Sequence, residues 1–129
     1  MDEEIVKVAA ACRDRAYAPY SGFKVGAAVQ SAGGAIFGGC NVENISYGLT
    51  ICAERAAIFA AVAAGSLDLV TLAVVTDASV PVSPCGACRQ VAAEFGIKKV
   101  ILCNLKGDKR EVSLADLLPD AFSAKLTRE

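Results

Sequence analysis

Apolar residues recur at Ile5, Val8, Ala9, Cys12 and Ala16, while Lys7, Asp14 and the acids Asp2, Glu3 and Glu4 fall elsewhere. This spacing predicts an amphipathic helix at the start of the chain. Pro19, Ser21 and Gly22 then predict a loop over Tyr17 to Gly22, leading into a strand over Phe23 to Val29. Gly33-Gly34 turns that strand into a second one ending near Val42. From Cys52 to Ala64 the chain is apolar on nearly every side, alanine-rich with Ile58, Phe59 and Val62 interspersed, and Gly65 stops it. A buried helix follows from that pattern. Leu69 to Thr76 is a continuous apolar, β-branched run suited to a strand covered on both faces. A helix over Cys85 to Phe95, a strand over Lys98 to Cys103 and a turn at Lys106-Gly107-Asp108 come next. An edge strand through Val112 then precedes a short helix, begun by Ser113 with Asp116 three residues on and ended by Pro119.

The resulting order, α-β-β-α-β-α-β-β-α, alternates strands with helices in mid-chain. It predicts an α/β fold, a three-layer α/β/α sandwich around a mixed five-stranded sheet. A length of 129 residues suits one domain over residues 1–129. The content of 54% apolar residues is high for so small a chain and predicts surface buried between subunits. Thirteen basic residues against 14 acidic ones give no general attraction to nucleic acid or an anionic membrane, so a small molecule is the expected partner. The uncharged stretch between Lys24 and Glu43 is interrupted by Gln30, Gly33-Gly34 and Asn41, which argues against a membrane span. The acidic start, Met1-Asp2-Glu3-Glu4, lacks the features of a secretory signal and points to the cytoplasm.

The chemistry concentrates in Cys52-Ala53-Glu54 and Pro84-Cys85-Gly86-Ala87-Cys88. The chain contains no histidine, which excludes a nitrogen-rich metal site and leaves an all-thiolate zinc site as the candidate. Cys52 at the start of one predicted helix, with Cys85 and Cys88 in the first turn of another, would face helix-end N–H groups that favour thiolate over thiol. Three thiolates on Zn²⁺ leave one net negative charge and one open position, the arrangement of a catalytic zinc. Arg55 and Arg89 each follow a ligand segment, and their guanidinium groups would withdraw part of that charge. Both also fit solvated helix positions. Glu54, a carboxylate within an apolar helix, is costly to bury without a task, and beside zinc it suits proton transfer. Cys12, Cys40 and Cys103 read as small apolar side chains.

These two motifs, together with Ala18-Pro19-Tyr20-Ser21, Phe23-Lys24-Val25-Gly26-Ala27-Ala28, Asn41-Val42-Glu43-Asn44 and Leu117-Leu118-Pro119, resemble the small homotetrameric, zinc-dependent cytidine deaminases over essentially the whole chain. The resemblance implies hydrolysis of cytidine and deoxycytidine to uridine and deoxyuridine with release of ammonia, in pyrimidine salvage. It implies one zinc per subunit held by Cys52, Cys85 and Cys88. Glu54 would take a proton from the attacking water and deliver protons to ring N3 and the leaving amine. Asn41 and Glu43 match sugar-binding positions, though Asn-x-Glu-Asn also suits a cap or turn. The backbone around Ala53 and Ser83 would meet the base edge and Phe23 would pack by the base. Tyr47 and Phe122 would reach a neighbouring subunit's site in a homotetramer.

Deaminases of polynucleotides share the zinc and the acid but usually place histidine at the first ligand position, where this chain has Cys52. Blasticidin deaminases use three cysteines but lack the Asn-x-Glu-Asn pattern and the arginine after the acid. From a different class, a structural zinc module would draw a fourth ligand from Cys40 or Cys103, and Cys-x-x-Cys after proline also suits redox chemistry. Neither of the last two readings gives Glu54 a task.

Overall fold

The computed structural model describes residues 2–123, so the two ends of the expected domain lie outside it. Helix α1 (Asp2–Arg13) is followed by β1 (Gly26–Ser31), β2 (Ile36–Cys40), α2 (Ala53–Ala63), β3 (Leu69–Thr76), α3 (Gly86–Glu94), β4 (Lys99–Asn104), β5 (Lys109–Ser113) and α4 (Leu114–Leu117). A single 3₁₀ turn at Tyr47–Leu49, absent from the sequence pattern, precedes α2. The strands form one sheet in the order β2-β1-β3-β4-β5. β3 and β4 are parallel across the crossover through α3, and the other neighbouring pairs are antiparallel. The sheet is therefore mixed, as the element order predicts.

Alternation along the strands sorts the core into two layers, because successive side chains point to opposite faces. Ala27, Val29, Leu72, Val74, Val100 and Leu102 pack with Ala53, Ala57, Ile58 and Ala61 of α2 and Ala92 of α3. Ala28, Ala73, Val75, Ile101 and Cys103 pack with Ile5 and Ala9 of α1. Small residues bring the layers close. A Cβ on Gly38 would collide with Cys12 of α1, and one on the adjacent Gly39 would collide with the α2 backbone at Ala57. β2 is thus pinched between helices on its two faces.

Element boundaries shift where tertiary contacts compete with local pattern. The apolar spacing carries the first helix on to Ala16, but α1 ends at Arg13 and Tyr17 pairs with the chain beyond β2. Tyr17 N donates to Asn41 O at 3.0 Å, and Glu43 N donates to Tyr17 O at 2.8 Å. β1 begins at Gly26 rather than Phe23: the Asn41 side chain takes Val25 N and Phe23 O, and the Asn41 backbone N donates to Val25 O at 3.2 Å. The last helix keeps its predicted cap, with Ser113 Oγ accepting from Asp116 N at 3.1 Å.

Candidate active site

Cys52 is the N-cap of α2 and Cys85 the N-cap of α3, so two helix N-termini converge with their positive ends toward one point. The Cys85 sulfur accepts from Cys88 N at 3.5 Å, which places Cys88 one turn along the same helix. Sγ of Cys85 lies 3.9 Å from that of Cys52 and 3.4 Å from that of Cys88, and all three sulfurs lie within 4.8 Å of one another. A tetrahedral zinc with Zn–S bonds of about 2.3 Å sets its sulfurs about 3.8 Å apart, so the trio fits that ion in spacing and in softness. Cys103 belongs to the apolar layer under α1 rather than to this cluster. Among the described residues the cluster comprises three ligands and no fourth, which matches an open site and not a closed structural one.

Electrostatics favour thiolate at Cys52 first. Hydrogen bonding from Cys88, and then from Arg55, pulls the Cys52 thiol down to about 5. The same sharing raises the thiol of Cys88, because a proton there bridges to the Cys52 sulfur. Arg55 Nη2 donates to Cys52 Sγ at 3.5 Å, the direct guanidinium contact expected from the sequence. Arg89 sits differently from that expectation. Its Nε donates to Pro84 O at 2.8 Å and its Nη1 to Leu117 O at 2.7 Å, so it braces the ligand loop against the end of α4. The two arginines, alike in sequence context, part because they project from different turns of different helices.

Glu54 is 6% exposed, in the first turn of α2. Burial pushes its carboxyl up to about 7, with the Cys52 charge adding to the rise while its own backbone N–H and Arg55 oppose it. A group in that range can both accept and release a proton near neutrality.

Beside these residues lies a cavity of about 230 Å³ at the carboxyl end of β3, where α/β sheets commonly bind ligands. Its walls include Cys52, Ala53 and Glu54 on one side, Phe23, Asn41 and Glu43 on another, and Ser83 near the ligand loop. Asn41 is 8% exposed, and half of its side-chain hydrogen bonding is committed to the fold. Oδ1 accepts from Val25 N at 2.9 Å and Nδ2 donates to Phe23 O at 2.9 Å. An amide has four hydrogen-bonding valences, so one N–H and one lone pair remain. Glu43 accepts from Tyr20 N at 2.9 Å and Ser21 N at 3.1 Å through Oε1, and from the Ser21 hydroxyl through Oε2. The Ser21 hydroxyl, first, and the two backbone groups hold this carboxyl below its ordinary range.

Tyr47 and Phe122 do not line this cavity. Tyr47 stands on the 3₁₀ turn, edge-on to Tyr20 with ring centroids 6.0 Å apart, and Phe122 follows α4. They are 75% and 80% exposed. Thr50, Thr76, Val82 and Ser21 also form walls, and the sequence pattern assigns them no role. Thr76 ends the central strand, a position that strand topology could have flagged; Thr50 and Val82 carry no such signal.

The family model described as the cytidine and deoxycytidylate deaminase zinc-binding region matches residues 1–104. A cytidine deaminase of Sporosarcina psychrophila is 53% identical over 123 residues, spanning 94% of this chain and 90% of its own. That of Halalkalibacterium halodurans is 51% identical over 128 residues, spanning 97% of each. A crystal structure of cytidine deaminase from Burkholderia pseudomallei superposes with a TM-score of 0.90 at 52% identity, covering 95% of this chain and 99% of that one. Likeness of this extent, along nearly the full length of chains close to it in size, makes the protein a member of the zinc-dependent cytidine deaminase family, whose enzymes are hydrolytic.

Proposed function

We propose that this protein, acting as a single domain over residues 1–129, hydrolyses cytidine and deoxycytidine to uridine and deoxyuridine with release of ammonia, in the cytoplasm and in the service of pyrimidine salvage. The observation that carries the reading is one cavity whose wall joins Cys52, one member of the sulfur trio, and the buried Glu54 to a polar wall at Asn41 and Glu43. Such a wall has a use in a nucleoside enzyme, and none in a purely structural zinc module.

Cys52, Cys85 and Cys88 hold the ion. When bound, zinc supplies the Lewis acidity that makes water nucleophilic at neutral pH. Glu54, poised near 7, takes the proton of the attacking water and returns protons to ring N3 and the departing amine. Arg55 withdraws charge from Cys52 and so limits how far three thiolates weaken that acidity. Phe23 packs against the base, and the backbone at Ala53 and Ser83 meets its polar edge. The remaining N–H of Asn41 and the remaining lone pair of Glu43 address the sugar hydroxyls. Because the attacked carbon passes from planar to tetrahedral, these contacts accelerate the reaction only as far as they hold the tetrahedral form better than the substrate.

The same reading makes the active enzyme a homotetramer with shared sites. Ile45, Tyr47, Leu49 and Phe122 are exposed apolar side chains, and α2 turns Phe59 and Ala60 to solvent with no charge between them. An apolar surface of this kind on so small a chain suits burial against other copies. All six cysteines are unpaired, as suits a reducing compartment. No described helix is long and apolar enough to cross a membrane.

The test is ammonia release from zinc-loaded protein given cytidine, deoxycytidine, cytosine, CMP or blasticidin. We expect turnover of the two nucleosides. Failure on both, with zinc content verified, would refute the proposal.

A further inference from the structure

Cys88, Arg89 and Gln90 are consecutive on α3, and the last two side chains both donate to backbone carbonyls in the C-terminal part of the chain. Arg89 Nη1 reaches Leu117 O at 2.7 Å, and Gln90 Nε2 reaches Phe122 O at 3.0 Å. Between those carbonyls α4 stops, Pro119 bars its continuation, and Asp120 takes φ 57°. That left-handed conformation is one aspartate tolerates better than most residues, and it reverses the chain toward α3. The Gln90 bond then anchors the carbonyl of Phe122 itself, whose ring is exposed and outside its own chain's cavity.

We propose that Gln90 is a positioning residue for Phe122: its side-chain hydrogen bond to the Phe122 carbonyl helps hold the backbone from which the ring projects toward a neighbouring copy's substrate. This rests on the shared-site reading above and deepens it. The helix whose first turn carries Cys85 and Cys88 for one site also sets the aromatic wall of the next, so metal loop and trans-acting ring share one rigid support. An amide suits the task, because it donates to a carbonyl without placing a charge beside an aromatic ring.

The experiment is a double-mutant cycle on zinc-loaded protein with cytidine, using Gln90→Met, Phe122→Ala and the pair, with KM, kcat, zinc content and sedimentation measured for each. Loss of one neutral hydrogen bond is expected to raise KM about 3- to 10-fold in Gln90→Met while kcat and zinc content stay near the parent's. If Gln90 acts through Phe122, the pair will behave as Phe122→Ala alone, the non-additivity expected of residues on one path. A parental KM in Gln90→Met, or an effect that adds in full when Phe122 is already alanine, would overturn the inference while leaving the shared site standing. A parental KM in Phe122→Ala would instead remove the shared-site reading itself. Should Gln90→Met fail to fold, Gln90→Glu keeps the size, exchanges donor for acceptor, and carries the same cycle.

Discussion

Glu54 and Glu43 are acids in one cavity, yet their surroundings drive them in opposite directions. Burial lifts Glu54 toward neutrality, whereas the Ser21 hydroxyl and two backbone N–H groups hold Glu43 ionised. Glu54→Gln keeps the shape and removes the proton carrier. Zinc content should stay near one per chain while kcat falls by about 10²–10⁴, read by metal analysis beside an ammonia assay. For Glu43 the depressed carboxyl gives a stabilising contribution that is present above the ordinary glutamate range and lost as pH falls through the lowered value. Ser21→Ala should therefore move the Glu43 titration, followed by carboxyl NMR, upward toward the ordinary value, and the 20–21 turn should loosen at a higher pH than in the parent. Arg55→Gln removes the cation that touches Cys52. Activity should fall about 10- to 100-fold with a smaller loss of melting temperature, since the residue tunes the metal more than it packs the core.

At the scale of elements, β2 shows how a short strand is made to fit between helices. Gly39 faces the α2 backbone at Ala53, Ala56 and Ala57, where no flexible side chain can give way. Gly39→Ala should destabilise the fold by about 1–3 kcal/mol or more through overpacking, measured by chemical denaturation. Gly33→Ala, in the turn before β2 with Ser31 Oγ at 3.9 Å as the nearest atom to the added carbon, should be close to neutral and serves as the control. The central strand was legible because its apolar run is long and bounded; Leu69–Thr76 matches the expected span residue for residue. The start of β1 and the end of α1 were not, because Asn41 and Glu43, far along the chain, claim hydrogen bonds that local periodicity cannot anticipate.

For the whole molecule, the exposed aromatics and the apolar outer face of α2 make assembly and activity one question. Dilution that dissociates the protein, followed by sedimentation, should reduce activity in step with loss of the assembled form, whereas a fully active monomer would contradict shared sites. Cys52 and Cys85 sit at the N-caps of α2 and α3, so zinc held by both would tie the two helices together, and a chelator should lower the melting temperature as well as abolish turnover. Adding zinc back should restore both, as expected for a ligand that binds only the folded state.

The sequence by itself determined the element order, the thiolate donor set and the acid two residues from its first ligand, because periodicity, the lack of histidine and short spacings are local properties of the chain. It also suggested that Arg55 and Arg89 act alike. Tertiary structure separated them: one guanidinium reaches a sulfur and the other reaches carbonyls at Pro84 and Leu117. It likewise showed Asn41 spending half and Glu43 most of its side-chain hydrogen bonds on the fold, and Phe122 tethered by Gln90 outside its own cavity. Those outcomes depend on which distant backbone group lies within about 3 Å of a side chain. That is fixed by the packing of helices on both faces of the sheet, and a linear pattern does not contain it.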